Sequence, residues 1–419
     1  MAVASAESIR TRCCIIGGGP AGMVLGLLLA RAGVDVVVLE KHKDFLRDFR
    51  GDTVHPSTLE VMHELGLLQE FLQRPHQELR ELSGIIGGVK VRIADFSHVP
   101  AHCQFIALMP QWDFLDFLAS HAKRYPNFRL LMQAEATGLL TEADRVAGVE
   151  AKTPNGPITV HADLTVGADG RHSTVREKAG LARDDFGAPI DVLWMRLSKK
   201  PDDDSATLGR IAAGAIFVSL DRGDYWQCAL VIPKGGADEL RAKGLDAFRA
   251  LIIRVAPMVT DRVAELQSWD QVKLLTVTID RLRQWHKPGL LCIGDCAHAM
   301  SPVGGVGINL AIQDAVASAN ILAEKLRQGV PPLGLLAQVQ KRREWPTRMT
   351  QNLQLAVQSR VMARVLTMTR DPKPPLAVKL LNWFAVLRRI PARLVGMGFR
   401  PEHVRTPELP PAPPGQGTK

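Results

Sequence analysis

Residues 12–40 of the chain read RCCIIGGGPAGMVLGLLLARAGVDVVVLE. A short apolar run is followed at once by glycines, then by a helical run from about Ala21 to Ala32, and then by a second apolar run that ends at Glu40. This order predicts a strand, a helix and a second strand, which is the βαβ unit of a parallel sheet. Gly33 is placed to end the helix. The first forty residues therefore predict an α/β fold.

The glycines of this stretch follow the pattern G-x-G-x-x-G. The first permits the tight turn, the second lets the backbone approach a pyrophosphate, and the third lets helix and strand pack closely. The phosphates then bind N–H groups at the helix N-terminus, and a carboxylate at the end of the second strand accepts hydrogen bonds from a ribose. A glycine turn used only for packing is the alternative, but it leaves the acid unexplained. The candidate cofactor-binding residues here are Gly17, Gly19, Pro20, Ala21, Gly22, Glu40 and Lys41.

The rest of the chain alternates between two patterns. Residues 56–68 predict a helix, and residues 83–108 are glycine-rich and β-like. Residues 190–280 hold short apolar strands, one of them at 272–279, around a helix near 239–255. From residue 290 the α/β pattern returns, with a strand at 290–293 and a helix near 307–328. The α/β domain is therefore interrupted in sequence by a β-rich one.

Residues 290–315 read LLCIGDCAHAMSPVGGVGINLAIQDA. A strand leads to Gly294 and Asp295, and a glycine-rich loop then enters a helix. A carboxylate at a strand end can bind sugar or polyol hydroxyls. The glycines let backbone amides approach a flat, electron-rich ring at a helix N-terminus, where the helix dipole favours developing negative charge. Reduced flavin is such a ring.

With this second stretch the sequence resembles the group A FAD-dependent aromatic monooxygenases, which have the p-hydroxybenzoate hydroxylase fold. The late motif of that family, G-D-x-A-H-x-x-x-P-x-x-G-x-G-x-N, is matched here without departure. The matching residues are Gly294, Asp295, Ala297, His298, Pro302, Gly305, Gly307 and Asn309. The candidate cofactor-binding residues in this stretch are Asp295, Pro302, Gly305, Gly307, Ile308 and Asn309.

Other positions follow from the same resemblance. Residues 166–176, with Asp169 and Gly170, resemble the D-G motif of the family, which contacts cofactor phosphates and helps to accommodate NAD(P)H. Arg50 lies where the family has an arginine near the flavin, with Arg47 as the alternative. Gln111 opens a helix where the family places a residue that holds the ribityl or phosphate portion. The alternatives are an Asp-Gly turn, a solvated arginine and a polar helix start.

The resemblance implies an activity as well as a cofactor. NADPH or NADH reduces FAD, O2 adds at flavin C4a, and the hydroperoxide transfers one oxygen atom to an aromatic, polyketide-like or polycyclic substrate. The flavin carries the difficult chemistry, while the protein positions the substrate and excludes water. The candidate catalytic residues are Arg50, His55 and Pro302, although a loop histidine without a role is the favoured interpretation of His55. A reductase or halogenase of the same fold, and a non-catalytic flavin-binding module that docks on membranes, are the alternative functions.

Substrate contacts are expected from the β-rich insertion. Tyr225 and Gln227 alternate with Trp226 along one strand, and Trp194 and Arg196 share a face of another. Trp194, Arg196, Tyr225 and Gln227 are therefore the candidate pocket residues, with burial in the sheet core as the alternative. Cys296 is interpreted as a small buried residue rather than a flavin link or redox thiol.

The predicted fold class is α/β, in an α+β two-domain arrangement: a Rossmann-like FAD-binding domain, a β-rich substrate domain that interrupts it, and C-terminal helices. The FAD-binding domain is predicted in three parts, residues 1–82, 109–182 and 281–370. The substrate domain is predicted in two parts, 83–108 and 183–280. A basic helical region at 371–406 and a disordered tail at 407–419 follow.

Composition restricts the other classes. The chain has 52 lysines and arginines against 43 acids, a net charge of +9, which permits anionic partners without identifying one. The six cysteines form no CxxC pair, so neither a metal site nor a disulfide framework is expected, and a cytoplasmic location fits best. The sequence contains no nucleic-acid recognition motif, so a nucleic-acid partner is not expected. Residues 376–390 combine an apolar stripe with basic neighbours, which suits either peripheral membrane contact or packing within a monomer or homodimer.

Overall fold

The structure, a computed structural model, describes residues 7–46, 53–203 and 209–410. The strands in these ranges are β1 (Glu7–Ile16), β2 (Val36–Glu40), β3 (Thr53–Val54), β4 (Gln77–Leu79), β5 (Glu81–Ile86), β6 (Val89–Asp95), β7 (Ile106–Leu108), β8 (Phe128–Met132), β9 (Glu135–Glu142), β10 (Arg145–Thr153), β11 (Gly156–Gly167), β12 (Arg183–Asp185), β13 (Ile190–Ser198), β14 (Gly209–Ala212), β15 (Ala215–Asp221), β16 (Tyr225–Pro233), β17 (Lys273–Leu275), β18 (Asp280–Leu282), β19 (His286–Lys287) and β20 (Leu290–Cys292).

The α-helices are α1 (Pro20–Arg31), α2 (Pro56–Glu64), α3 (Leu68–Phe71), α4 (Gln111–Ala122), α5 (Thr174–Lys178), α6 (Ala237–Ala242), α7 (Leu245–Val255), α8 (Gly307–Gln328), α9 (Leu333–Val357), α10 (Ala363–Leu366), α11 (Leu376–Trp383) and α12 (Arg389–Gly396). Short 3-10 turns cover Phe96–His98, Pro257–Val259, Val263–Glu265, Trp269–Gln271, Gly294–Cys296, Val303–Gly305 and Ala385–Arg388, and a π-helical turn covers Gln358–Met362.

The first sheet contains the predicted βαβ unit. Its main path runs β19-β20-β11-β1-β2-β8, and the five strands from β20 to β8 are mutually parallel. Strand β2 is buried along its whole length, which explains why its sequence is an unbroken apolar run rather than an alternating one. Parallel strands bring their carboxyl ends to one edge, so the residues after β1, β11 and β20 lie side by side. This confirms the predicted α/β class.

The second sheet runs β17-β13-β16-β15-β14-β5-β6. Strand β5 pairs in parallel with β14, so residues 81–95 join the same sheet as residues 190–233. One face packs on α7 through a core that includes Phe217, Trp226 and Phe248. The opposite face, called the inner face below, carries Trp194 and its neighbours. The two-segment, β-rich insertion is therefore one continuous sheet.

Three predicted elements differ in extent. The helix predicted at 239–255 is two helices, because Gly244 has φ +86° between α6 and α7. The strand predicted at 272–279 is paired only as β17, because the N–H of Val277 donates to the Asp191 carboxylate instead of to a neighbouring strand. The helix predicted at 56–68 ends at Glu64, before Gly66, which has φ +72°.

The C-terminal part of the chain packs on both domains. Helices α11 and α12 cover strand β6, at one edge of the second sheet. The prediction of a disordered tail from residue 407 is wrong over residues 407–410. There the N–H of Leu409 donates to Arg31 O, and the Glu408 carboxylate accepts from the Tyr125 hydroxyl. Among the described helices, Val303–Gln328 is long and apolar enough to span a membrane, but 72% of its apolar window is buried inside the molecule. That burial makes α8 a core helix of the first domain.

Candidate functional site

The three glycine-containing motifs meet at the carboxyl edge of the parallel sheet. A Cβ on Gly17 would lie 2.3 Å from Ala168 O, just before Asp169, so the first turn and the D-G motif are in direct backbone contact. A Cβ on Gly294 would lie 3.2 Å from the Cβ of Ala21. These approaches need glycine, and φ is +107° at Gly17 and +59° at Gly294. Stretches separated by more than 100 residues in sequence therefore form one surface.

The first glycine turn leaves a helix N-terminus open. Gly19 is the N-cap of α1, Pro20 is its first residue, and no side chain caps the N–H groups there. A Cβ on Gly19 would meet no heavy atom within 4 Å, whereas a Cβ on Gly22 would lie 2.0 Å from Gly17 O. Gly22 thus serves packing, while Gly19 faces open space beside unpaired donors. This arrangement fits a pyrophosphate.

Glu40 lies beside the same turn. Its Oε2 accepts from the N–H of Gly18 at 2.9 Å, and its Oε1 accepts from the N–H of His42 at 3.0 Å. The carboxylate is buried, and these hydrogen bonds hold it at the end of β2. Lys41 is exposed in the next position. The residues present fit the dinucleotide portion of FAD, because an open helix N-terminus and a fixed acid stand on the same edge.

The D-G motif is organised around its carboxylate. Asp169 Oδ1 accepts from Ser173 Oγ at 2.6 Å and Oδ2 accepts from the N–H of Val175 at 3.1 Å, so the side chain caps the start of α5. Gly170 follows with φ +83°. The side chain of Asp169 is therefore committed to shaping the turn, and the backbone at 169–170 is what it presents along this edge.

The late glycine loop is fixed from behind by Asn309. Its Oδ1 accepts from the N–H of His55 at 3.0 Å and from Thr58 Oγ1 at 2.7 Å, and its Nδ2 donates to the carbonyls of Thr53 and Gly305 at 3.3 Å. Asn309 is buried, and through these hydrogen bonds it positions the loop.

Residues 302–307 of that loop present backbone groups, because no side chain caps the turn or the start of α8. Pro302 precedes a 3-10 turn in which Gly304 and Gly305 have φ +79° and +63°. Gly307 then begins α8, with no side-chain cap, and Ile308 is half-buried. Asp295 is half-buried in the 3-10 turn after β20. Free backbone donors at the start of a 22-residue helix suit a ring that gains negative charge.

Among the predicted catalytic residues, His55 is buried and faces away from solvent. Its Nδ1 donates to Val395 O at 2.7 Å, while Nε2 is buried without a hydrogen-bond partner in the described chain. Burial lowers the pKa of His55 to about 4, against a weaker opposing effect of the Val395 hydrogen bond, so the ring is neutral. This side chain ties α2 to α12. Arg50 and its alternative Arg47 lie outside the described residues.

A buried charge network behind the late motif was missed by sequence reasoning. Asp314 in α8 accepts from His298 Nε2 at 2.5 Å, from Arg343 Nε at 2.9 Å and from the N–H of Gly294 at 3.1 Å. Arg343 in turn lies 3.3 Å from Glu402, near the C-terminus. Burial favours a raised pKa for Asp314, but His298 and Arg343 outweigh it and hold that pKa below its ordinary value. The available signal was Asp314 itself, since α8 has no other acid before Glu324.

Cys296 lies within this region but is not exposed. Its Sγ is 3.1 Å from Ser173 Oγ, and burial, followed by the neighbouring Cys292, raises the pKa of its thiol. A protonated, enclosed thiol is a poor nucleophile. In the part of the chain that the structure describes, no group of three or more His, Cys, Asp or Glu side chains is arranged to hold a metal ion.

The candidate substrate residues share the inner face of the second sheet. Trp194 pairs with Ala229 and Arg196 with Gln227, while Trp226 points to the opposite face and is buried against the helices. The Arg196 guanidinium lies 3.7 Å from the ring centre of Tyr225.

That inner face reaches the late glycine loop. Val303, the residue after Pro302, packs against a hydrophobic cluster that contains Ile216 and Val231 of this sheet together with Val365. Trp194 and Val218 both pack against a second cluster, which includes Ala229, farther along the same face. The late loop therefore borders the surface on which a substrate was predicted to bind.

At its other end the inner face opens into a cleft of about 340 Å³. The cleft lies between β16 and the start of α4, where Gln111 is half-buried. Residues that line it include Trp112, Asp113, Arg196, Arg222, Tyr225 and Gln227. Arg222 Nε donates to Gln227 Oε1 at 3.1 Å. Sequence reasoning missed Arg222 and Trp112, because they come from a turn and from a different domain.

This geometry is that of a flavoprotein. The chain belongs to the family described as FAD binding domain, whose model matches residues 10–353, and it is an FAD-dependent monooxygenase of the group A aromatic type. Its cofactor is FAD.

The chain is similar in sequence to two curated monooxygenases. It is 33% identical to 6-methylpretetramide 4-monooxygenase of Streptomyces rimosus over 390 residues, and this match covers 92% of this chain and 93% of that protein. It is also 29% identical to rifampicin monooxygenase of Streptomyces venezuelae over 329 residues, and this match covers 77% of this chain and 66% of that protein.

Solved structures share the fold. OxyS anhydrotetracycline hydroxylase from Streptomyces rimosus superposes with a TM-score of 0.73 at 24% identity, covering 93% of this chain and 76% of that one. The p-nitrophenol 4-monooxygenase PnpA from Pseudomonas putida DLL-E4 gives a TM-score of 0.73 at 20% identity, covering 93% and 99%. The fold predicted from the three motifs is therefore confirmed.

Proposed function

We propose that this enzyme uses NADPH or NADH and O2 to hydroxylate or epoxidise an aromatic, polyketide-like molecule. One oxygen atom enters the substrate and the other leaves as water. The nicotinamide supplies a hydride, which carries the two electrons, and solution supplies one further proton. The observation that carries the proposal is the packing of Val303, in the late glycine loop, against the hydrophobic cluster that contains Ile216 and Val231 of the inner face.

When bound, FAD supplies the redox chemistry and the activation of O2. The chain supplies position and electrostatics. The open N–H groups at the start of α8 stabilise negative charge beside the 302–307 loop, and Asn309 holds that loop against Thr53 and His55. The start of α1 and Glu40 hold the dinucleotide end.

The inner face suits a flat substrate with polar groups on its rim. Trp194 and Tyr225 offer aromatic surfaces, and Arg196 and Arg222 offer cations that hydrogen-bond phenolate or ketone oxygens. Relatives are named for 6-methylpretetramide, rifampicin and para-nitrophenol, which supports aromatic and phenolic substrates as the class for this chain.

The test begins with the absorbance spectrum of the purified protein and an anaerobic titration with NADPH and with NADH. We expect a flavin spectrum that bleaches with one nicotinamide and recovers when air is admitted. Turnover with 18O2 and a panel containing 6-methylpretetramide and para-nitrophenol then decides the reaction type. A product that gains one 18O atom supports the proposal.

Other products distinguish the alternatives. A product that gains two hydrogens and no oxygen would make the enzyme a reductase, and a chlorinated product in the presence of chloride would make it a halogenase. Bound flavin that neither nicotinamide reduces, with or without the panel, would contradict the nicotinamide-driven mechanism.

A further inference from the structure

The C-terminal region presents an apolar face to solvent. We define the C-terminal basic surface as residues 376–399, which comprise α11, the 3-10 turn Ala385–Arg388, α12 and the three residues after it. Trp383 is 67% exposed and Ile390 is 61% exposed. Large hydrophobic side chains in this surface that are exposed are Leu376, Trp383, Phe384, Val386 and Ile390. So dense a group of exposed hydrophobic residues indicates an interaction site.

The exposure is not the result of a detached helix. Ala392 and Met397 are buried in a cluster with Phe96, and Asn382 accepts a hydrogen bond from the N–H of Arg92 in β6. Val395 O accepts from His55. The inner sides of both helices are therefore anchored on β6 and α2, and the apolar residues above form an outward face of a fixed element.

The charge of this surface has one sign. Residues 376–399 hold four lysines and arginines and no aspartate or glutamate. Arg388 is buried on the carbonyls of Leu381 and Asn382. Lys379, Arg389 and Arg393 are exposed, and none of the three forms an ion pair with a carboxylate in the described residues. A second copy of the chain would bring the same cations face to face, so an anionic partner is favoured over self-association.

A groove of about 350 Å³ in the C-terminal basic surface is lined by both cationic and apolar side chains. It is lined by Arg389, Ile390, Arg393, Leu394, Gly398 and Phe399. Two guanidinium groups at its rim suit phosphate oxygens, and the aliphatic and aromatic walls suit the adjoining acyl chain. A negatively charged lipid has both parts in one molecule.

We propose that the C-terminal basic surface docks the enzyme on anionic phospholipid membranes. The helices lie in the plane of the interface, with Trp383, Phe384 and Ile390 at the boundary between headgroups and acyl chains. Arg389 and Arg393 bind headgroup phosphates. This docking is separate from the oxygenation reaction and does not depend on it.

The test uses the full-length, FAD-loaded enzyme and sedimentation with vesicles of phosphatidylcholine alone or with 30% phosphatidylglycerol. We expect binding to the anionic vesicles only, with release at high salt because the attraction is screened. The double variants Trp383→Ser with Phe384→Ser, and Arg389→Gln with Arg393→Gln, are each expected to weaken binding roughly tenfold or more. The matched controls Leu353→Ser and Arg241→Gln, exposed elsewhere, should bind as the wild type does.

Several outcomes would overturn the proposal. These are equal binding to neutral and anionic vesicles, equal binding by the double variants and the controls, or a wild-type dimer that becomes a monomer in Trp383→Ser with Phe384→Ser. Titration of the wild-type enzyme with increasing phosphatidylglycerol needs no variant, so misfolding of a variant leaves the proposal testable. Flavin reduction by NAD(P)H without vesicles is expected to be unchanged in both double variants.

Discussion

Arg343 donates from Nε to Asp314 Oδ1 over 2.9 Å, and both side chains are completely inaccessible to solvent. The other carboxylate oxygen of Asp314 accepts from the N–H of Gly294 and from His298. The pair therefore connects α9 and α8 to the turn that presents Asp295. A buried charge pair of this kind costs desolvation, and its value lies in fixing one arrangement of the turn.

Removal of Arg343 is expected to destabilise the whole domain. In Arg343→Met, the buried carboxylate of Asp314 loses its guanidinium partner, which costs about 3–5 kcal/mol of unfolding free energy. Chemical denaturation monitored by circular dichroism measures the loss. The control is Arg348→Met, an exposed position on the same helix, for which the change should stay within about 0.5 kcal/mol. Equal losses in the two variants would contradict a structural role for the pair.

Gly19 and Gly22 are expected to separate cofactor binding from folding. Gly19 has φ −74° and open space where a Cβ would stand, so Gly19→Ala should fold normally but obstruct the approach of a pyrophosphate. We expect FAD affinity to fall roughly tenfold or more, measured by fluorescence titration of the apoprotein. Gly22→Ala places a Cβ against Gly17 O and should instead lower stability. Wild-type FAD affinity in Gly19→Ala would mean that the pyrophosphate lies elsewhere.

Acid is expected to destabilise the enzyme through His55. Its pKa is about 4 in the folded protein and near 6.5 when unfolded, so between these values only the unfolded chain takes up the proton. Stability is thus full above pH 6.5 and falls as the pH drops, by about 2 kcal/mol between pH 7.5 and pH 5. Urea denaturation at both pH values should give a smaller fall in His55→Gln.

The control for this pH effect is His161→Gln. His161 is half-buried at the surface of β11, and its replacement should leave the fall in stability between pH 7.5 and pH 5 as it is in the wild type. If His55→Gln and His161→Gln behave alike, the acid sensitivity arises from other groups.

The sequence was informative where the signal is local. The first helix starts one residue before the predicted Ala21, and α8 spans Gly307–Gln328 as predicted, because glycines and apolar periodicity mark both ends. The link from Arg343 to Glu402 joins residues 59 positions apart and leaves no periodic signal. The strand predicted to Ile279 stops early because a side chain, Asp191, takes over a backbone donor. Hydrogen bonds between residues far apart in sequence leave no periodic pattern, so they could not be predicted from the sequence.

Arg222 is expected to affect the substrate and not the cofactor. It lines the cleft at the end of the inner sheet face and donates to Gln227, while the FAD edge belongs to the other domain. In Arg222→Met, the lost charge-assisted hydrogen bonds should raise the KM of a phenolic substrate by about 10–100-fold. FAD affinity and the rate of flavin reduction by NAD(P)H without substrate should match the wild type. Steady-state oxygen consumption and FAD titration measure the two effects separately.

The matched control for Arg222 is Arg241→Met. Arg241 lies on α6, on the side of the second sheet that faces away from the cleft, so the same loss of charge occurs without access to the substrate. Its KM should equal that of the wild type. A raised KM in both variants would indicate a long-range charge effect. The net charge of +9 attracts anionic substrates, and either variant lowers that charge by one. A raised KM in Arg222→Met alone, at unchanged FAD affinity, locates substrate recognition in the cleft between β16 and α4.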